Sequence, residues 1–138
     1  MNPKFEECAE WLRKAKNDVL SARILVSHSN PVTDTACFHC QQAVEKSLKA
    51  FLVYKEISFE KVHSMSYLLD ICEKQDSRFS EIRDKAEELA PYAVEVRYPG
   101  NLLEIPVAEA MESLRDMDIV IGFIRELLPR DMMDILSE

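Results

Sequence analysis

Apolar residues recur along this chain in alternating steps of three and four, the period of an α-helix with one buried stripe. Phe5, Cys8, Leu12, Ala15, Val19, Ala22 and Val26 form the first such stripe, enough for a helix of about six turns. Ser29-Asn30-Pro31 ends it, because proline disfavours a helical residue before it. A second helix is expected to start near Asp34 or Thr35, either of which can cap it. It runs through Ala36, Cys37, Phe38, Cys40, Ala43, Val44, Leu48, Ala50, Phe51, Leu52 and Val53 and is apolar around most of its circumference. Its polar residues Gln41, Gln42, Glu45, Lys46 and Lys49 fall within an arc of about 140°. Such a helix belongs at the centre of a bundle and shows one narrow face.

A short helix is expected over about Ser64 to Lys74, with Ser64 as its cap and Met65, Leu68, Leu69 and Cys72 inward. Phe79, Ile82, Ala86, Leu89 and Ala93 continue the spacing into a further helix, which Pro91 kinks or ends. Arg97-Tyr98-Pro99-Gly100-Asn101 is the clearest break. The last long helix opens at Pro106, carries Val107, Ala110, Leu114, Met117, Ile121, Ile124 and Leu128, and stops at Pro129. The tail from Arg130 to Glu138 is expected to pack weakly or fray. Four long helices with short connections predict an all-α fold, an antiparallel up-and-down four-helix bundle with one extra short helix. At 138 residues it forms a single domain, with its core over about 5–128.

Composition supports the helical reading. Only two glycines, Gly100 and Gly122, are present, too few for a hairpin-rich β fold. Residues 1–60 hold eight basic and eight acidic side chains, and residues 61–138 hold nine against seventeen, so the formal charge of −8 lies wholly in the second part. An acidic surface repels phosphate backbones, which argues against general nucleic-acid binding. The N-terminus lacks the apolar run of a signal peptide, and no stretch approaches the length of a membrane span. A cytoplasmic location is expected, with the four cysteines reduced.

The chemistry-bearing residues are few. Gln42, Lys46 and Lys49 follow one another at helical spacings of four and three, so their heads can converge on a phosphate-bearing ligand. Arg97 and Tyr98 join them if the bundle brings that turn close. The plainer reading is a solvated face, with Gln42 beside Lys46 and Glu45 beside Lys49, and with Arg97 capping a helix or pairing with Glu45. His63 can act as acid or base, but local spacing gives it no partner. Cys37-Phe38-His39-Cys40 has no second Cys-x-x-Cys to complete a zinc site, so no metal is expected. No Gly-rich phosphate loop or Ser/His/Asp order is present, and no cofactor is expected beyond a nucleotide ligand.

The run Cys37-Phe38-His39-Cys40-Gln41-Gln42-Ala43-Val44-Glu45-Lys46-Ser47-Leu48-Lys49-Ala50-Phe51-Leu52 resembles the second helix of HEPN domains, with their "QQAVEK-x-LKA" pattern. Val62-His63-Ser64 and Val96-Arg97-Tyr98-Pro99 are similar to that family's start of the short helix and its "RYP" turn, in the same order. The resemblance spans about Phe5 to Leu128. It implies a four-to-five-helix bundle, often a homodimer, associated with nucleotide binding and commonly partnered with a small nucleotidyltransferase in toxin–antitoxin or defence pairs. Many members are metal-independent ribonucleases that use an Arg-x(4–6)-His motif. Here the chain departs from the pattern, because no histidine follows His63. Arg23 and His28 match the motif formally, but at the end of the first helix rather than in the second half of the domain. The expectation is therefore a non-catalytic nucleotide-binding and interaction module. The alternatives are a ribonuclease toxin acting through His63 and Arg97, or through the Arg23/His28 pair, or a purely structural dimerisation domain.

Overall fold

The computed structural model describes residues 2–93 and 104–137. Arg97 and Tyr98, with the break predicted around them, lie outside the described residues. Within these bounds the chain forms α1 (Pro3–Ser27), α2 (Thr33–Tyr54), α3 (Met65–Gln75), α4 (Arg83–Leu89), α5 (Val107–Glu126) and α6 (Arg130–Ser137). Turns of 3₁₀ helix at Ser77–Glu81 and Ala90–Ala93 flank α4.

Contacts between side chains set the helix directions. Lys4 at the start of α1 reaches Glu56 beyond the end of α2, so these two run antiparallel. Thr33 donates to the Ile105 carbonyl (2.7 Å) and the Cys37 thiol to Ser113 (3.5 Å), so α2 and α5 start at the same end and run parallel. Between them in the chain, α4 returns in the opposite sense, with Tyr92 against Glu109 and Lys85 against Asp116. The result is the up-and-down bundle that the stripes predict, with α3 as the extra short helix held to α4 by Asp70–Arg83 (2.8 Å).

The core follows from the stripes. Leu12, Leu48, Phe51, Leu52, Leu68, Leu69, Phe79, Leu89, Met117 and Ile124 are fully buried. Phe79 joins Phe51 and Phe123 in a tilted aromatic cluster with centroids 4.8 and 5.0 Å apart, the edge-to-face range that aromatic quadrupoles favour. The four free cysteines are all buried. Burial pushes the thiols of Cys40 and Cys72 up to about 12 and that of Cys8 up to about 11, which makes them inert core residues. Among the described residues no helix is long and apolar enough to cross a membrane.

Three local details differ from the expectation. No side chain caps α2, because the residue at the cap position is Val32, whose side chain has no acceptor. The helix expected from Phe79 to Ala93 is short and bracketed by 3₁₀ turns. Asp76 accepts from the Arg78 N–H (3.0 Å) and pairs with its guanidinium (2.7 Å), closing a tight local turn, and Pro91 has no N–H with which to extend α4. The tail does not fray. It forms α6, which buries Met132 and packs Met133, Ile135 and Leu136 on the core.

The end of α2 exposes one strained residue. Ile57 N–H bonds to the Leu52 carbonyl and Glu56 N–H to that of Val53, both at 2.9 Å, a Schellman closure. It places Glu56 in the left-handed region at φ 59, where glycine is the comfortable residue. The ion pair lost with Glu56 is exposed and long (3.4 Å), and worth little. Chemical denaturation of Glu56→Gly should therefore show a gain of about 0.5–1 kcal/mol.

Candidate functional site

The polar arc of α2 is mostly turned inward. Gln41, Glu45 and Lys49 expose only 1%, 2% and 6% of their surface, while Gln42 and Lys46 are half-buried. A helix can bury such residues only if each finds a partner, and no buried side-chain nitrogen or oxygen among the described residues lacks one.

Glu45 is the centre of the larger cluster. One carboxylate oxygen, Oε1, accepts from the Lys49 ammonium one turn on (2.9 Å) and faces Nδ1 of His63 (2.8 Å). The other, Oε2, accepts from the Gln41 amide one turn back (2.8 Å). Gln42 extends the chain by donating to Gln41 (2.7 Å). Trp11 of α1 covers the Lys49 ammonium, 5.2 Å from the ring centroid, a cation–π contact. Burial alone pushes the Glu45 carboxyl up, but the hydrogen bonds from Lys49, Gln41 and His63 override it and hold the group below the ordinary glutamate range.

A second carboxylate organises the other flank. Asp18 of α1 is buried, accepting from the Lys46 ammonium on Oδ2 (2.6 Å) and facing His39 Nδ1 on Oδ1 (2.7 Å). Both partners come from α2, two turns apart, so this group fastens α1 to α2. In each cluster the carboxylate can only accept, so the imidazole Nδ1 carries the hydrogen and Nε2 is left as the basic nitrogen. His63 is the accessible one, with 74% of its side chain exposed.

The expected ligand residues therefore do not share one free surface. Lys46 and Lys49 serve different carboxylates, and of the three expected ligand residues on α2 only Gln42 and Lys46 remain partly exposed. The expected Glu45–Lys49 neighbours do pair, whereas Gln42 bonds to Gln41 and not to Lys46. The carboxylate once open to Arg97 already holds three partners. His63, with no partner by local spacing, gains Glu45 across 18 positions. Arg23 and His28 are also committed, the guanidinium to Asp118 (2.6 Å) and the imidazole to the Asn30 N–H (2.9 Å). Among the described residues no group of three His, Cys, Asp or Glu side chains could hold a metal ion. Trp11 also lines an open groove of about 540 Å³ with Lys4, Glu7, Glu56, Phe59 and Lys61. Its two cations and two anions give it no bias toward phosphate.

Sequence reasoning passed over Asp18, and a signal was there. It stands between Ala15 and Ala22 on the buried side of α1, and an acid in an apolar stripe announces a cation opposite.

Comparisons with known proteins agree with this architecture. The family model described as HEPN domain matches residues 8–127. A Methanocaldococcus jannaschii protein named "Putative toxin MJ1304" is 26% identical over 132 residues, covering 86% of this chain and 86% of that protein. The crystal structure of ST0689, an archaeal HEPN homologue, superposes with a TM-score of 0.68 at 23% identity, covering 87% of this chain and 96% of that one. At that identity the likeness speaks for the fold.

Two opposite pH dependences follow. Glu45 is depressed when folded, so its contribution to stability is present above the unfolded pKa and is lost as pH falls through the lower folded value. Glu45→Ala should cost about 3–5 kcal/mol at neutral pH by leaving the Lys49 ammonium buried alone, whereas Glu45→Met with Lys49→Met should cost less, mainly the bond that the buried Gln41 amide loses. Asp116 behaves the other way. Burial and the facing Glu88 raise it to about 6, with Lys85 (3.7 Å) compensating in part. Its contribution is present below the unfolded pKa and lost as pH rises through about 6. Asp116→Asn should therefore be more stable than the parent above that pH and lose the difference below it, as read from urea midpoints across the range.

Proposed function

The chain belongs to the HEPN domain family, and from that premise we propose that it is the binding member of a toxin–antitoxin-type pair, docking on a small nucleotidyltransferase and cleaving no RNA itself. The observation that carries this reading is the internal neutralisation of Lys46 and Lys49. A phosphate approaching α2 would have to compete with carboxylates 2.6 and 2.9 Å from those ammoniums. What α2 offers outward is a half-buried row in which the adjacent Phe38 and His39 are followed by Gln42 one turn on and Lys46 two turns on. An aromatic and hydrogen-bonding row without a free charge suits a protein surface better than a phosphate. In this reading the nucleoside triphosphate is the partner's ligand. The likeness to a protein named as a toxin supports the pairing. The pairing of the Arg23 guanidinium with Asp118 supports the absence of ribonuclease action through the formal motif, because an RNA phosphate would have to displace that carboxylate.

One observation favours a second reading, a ribonuclease of the HEPN class. The exposed His63 imidazole is oriented by a buried carboxylate, an arrangement that suits a general base.

Affinity capture and RNA incubation separate the two. The tagged chain should retain a nucleotidyltransferase encoded beside it, and Gln42→Arg should weaken that binding roughly tenfold or more, the effect of one interfacial hot spot. Pure protein should leave transfer and messenger RNA intact. Cleavage by the parent that disappears in His63→Ala would replace the first reading with the second.

A further inference from the structure

The chain has three histidines, and the bond at Nδ1 sets each of them apart. His28 is exposed at the end of α1, and its Nδ1 accepts from the Asn30 N–H (2.9 Å), so Nε2 carries the hydrogen. His39 turns Nδ1 to Asp18 (2.7 Å), which leaves Nε2 basic. Its side chain is only 25% exposed, however, and the Phe38 ring stands against it, 5.6 Å between centroids. His63 alone combines the basic Nε2 with open access. Its Nδ1 faces Glu45 at 2.8 Å, and 74% of the side chain meets solvent. A carboxylate behind Nδ1 serves a nucleophile at Nε2 in two ways. It fixes the tautomer that leaves a lone pair there, and it stabilises the cation formed when that pair is used. Glu45 is buried and also held by Lys49 (2.9 Å) and Gln41 (2.8 Å), so its position does not depend on the histidine it orients.

From this contrast we infer that His63 Nε2 is a phosphoryl-acceptor site, taking the group from an N–P donor of the kind a phosphohistidine on another protein provides. The inference is independent of docking on a nucleotidyltransferase. It also differs from general-base action, because the group ends on the ring instead of a proton passing through it. The Nε2 lone pair attacks phosphorus in line with the donor's P–N bond. The new N–P bond forms as the old one breaks, and the donor nitrogen departs neutral with the hydrogens it already carried. The ring becomes an imidazolium whose hydrogen stays on Nδ1 against Glu45. One N–P bond is exchanged for another, so neither an oxidant nor a further co-reactant is needed. The phosphoryl dianion then meets a favourable field. Ser64, the next residue, caps α3, so His63 stands just before the positive end of that 11-residue helix. The exposed Lys61 lies two residues back.

Phosphoramidate, the smallest N–P donor, tests this on the full folded chain. Peptide mapping under alkaline conditions, where phosphohistidine survives, should place one phosphoryl group on His63. His28 is as open but has the opposite tautomer, so it should react at least about tenfold more slowly. In the urea-unfolded chain the three histidines should label alike. Nitrogen-15 NMR of the parent should show the His63 hydrogen on Nδ1. His63→Gln, at an exposed position, should fold normally and lose the label. Glu45→Gln can offer its amide N–H to Nδ1, which inverts the tautomer and should slow His63 labelling roughly tenfold or more while His28 keeps its rate. If Glu45→Gln does not fold, the tautomer and the mapped sites of the parent decide the matter alone. Equal labelling of His28 and His63 in the folded chain, a His63 hydrogen on Nε2, or a folded Glu45→Gln that labels at the parent's rate would each overturn the proposal.

Discussion

A carboxylate in the middle of a helical bundle must bring its own partners or lose its charge. Glu45 stands at that point, 2% exposed at the centre of the most buried helix, and the structure around it is arranged to keep it ionised. Its own helix supplies Lys49 and Gln41, each one turn away, and the connection before α3 supplies His63. Trp11 closes over the Lys49 ammonium from α1. Three segments thus meet at one charged group. Two oxygens with three donors satisfy the carboxylate more fully than the lysine alone could, which is why the group is held below the ordinary range despite its burial.

Asp18 repeats the solution one layer out, with Lys46 and His39 on its two oxygens. Together the clusters explain how a helix carrying two lysines, a glutamate and two glutamines can sit at the centre of the fold. They also decide what α2 can do. Its cations are already matched, so its outward row is aromatic and amide-bearing, and the basic nitrogens beside it are those of His39 on α2 and His63 on the connection to α3. A protein surface or an acid–base group is within reach of this chemistry, whereas a phosphate cradle on Lys46 and Lys49 would require the core to be rearranged.

Much of the fold was legible because helical stripes are local. The spacing of Phe5, Cys8 and Leu12, and of Ala110, Leu114 and Met117, places their helices without tertiary knowledge. Ser64 caps α3 as its type suggests, accepting from the Tyr67 N–H at 3.2 Å. Residues 77–93 were less legible, since Phe79, Ile82, Ala86 and Leu89 bury one side equally well in 3₁₀ turns and in an α-helix. The candidate site was legible only in its residue types. The partner of Lys46 lies 28 positions away, that of His39 21 and that of His63 18. Periodicity within one helix cannot report such distances, so the lysines of α2 looked free when they were paired.

The arrangement of α2 at the centre of the bundle depends on the charge state of one side chain. Carbon-detected NMR of the Glu45 carboxyl across an acid titration measures it directly. A midpoint clearly below the usual glutamate value of about 4.3, accompanied by a response in the Lys49 ammonium, is the predicted result. A midpoint at or above that value, with Lys49 unresponsive, would mean that burial prevails over the hydrogen bonds and that the lysine stands apart from the carboxylate.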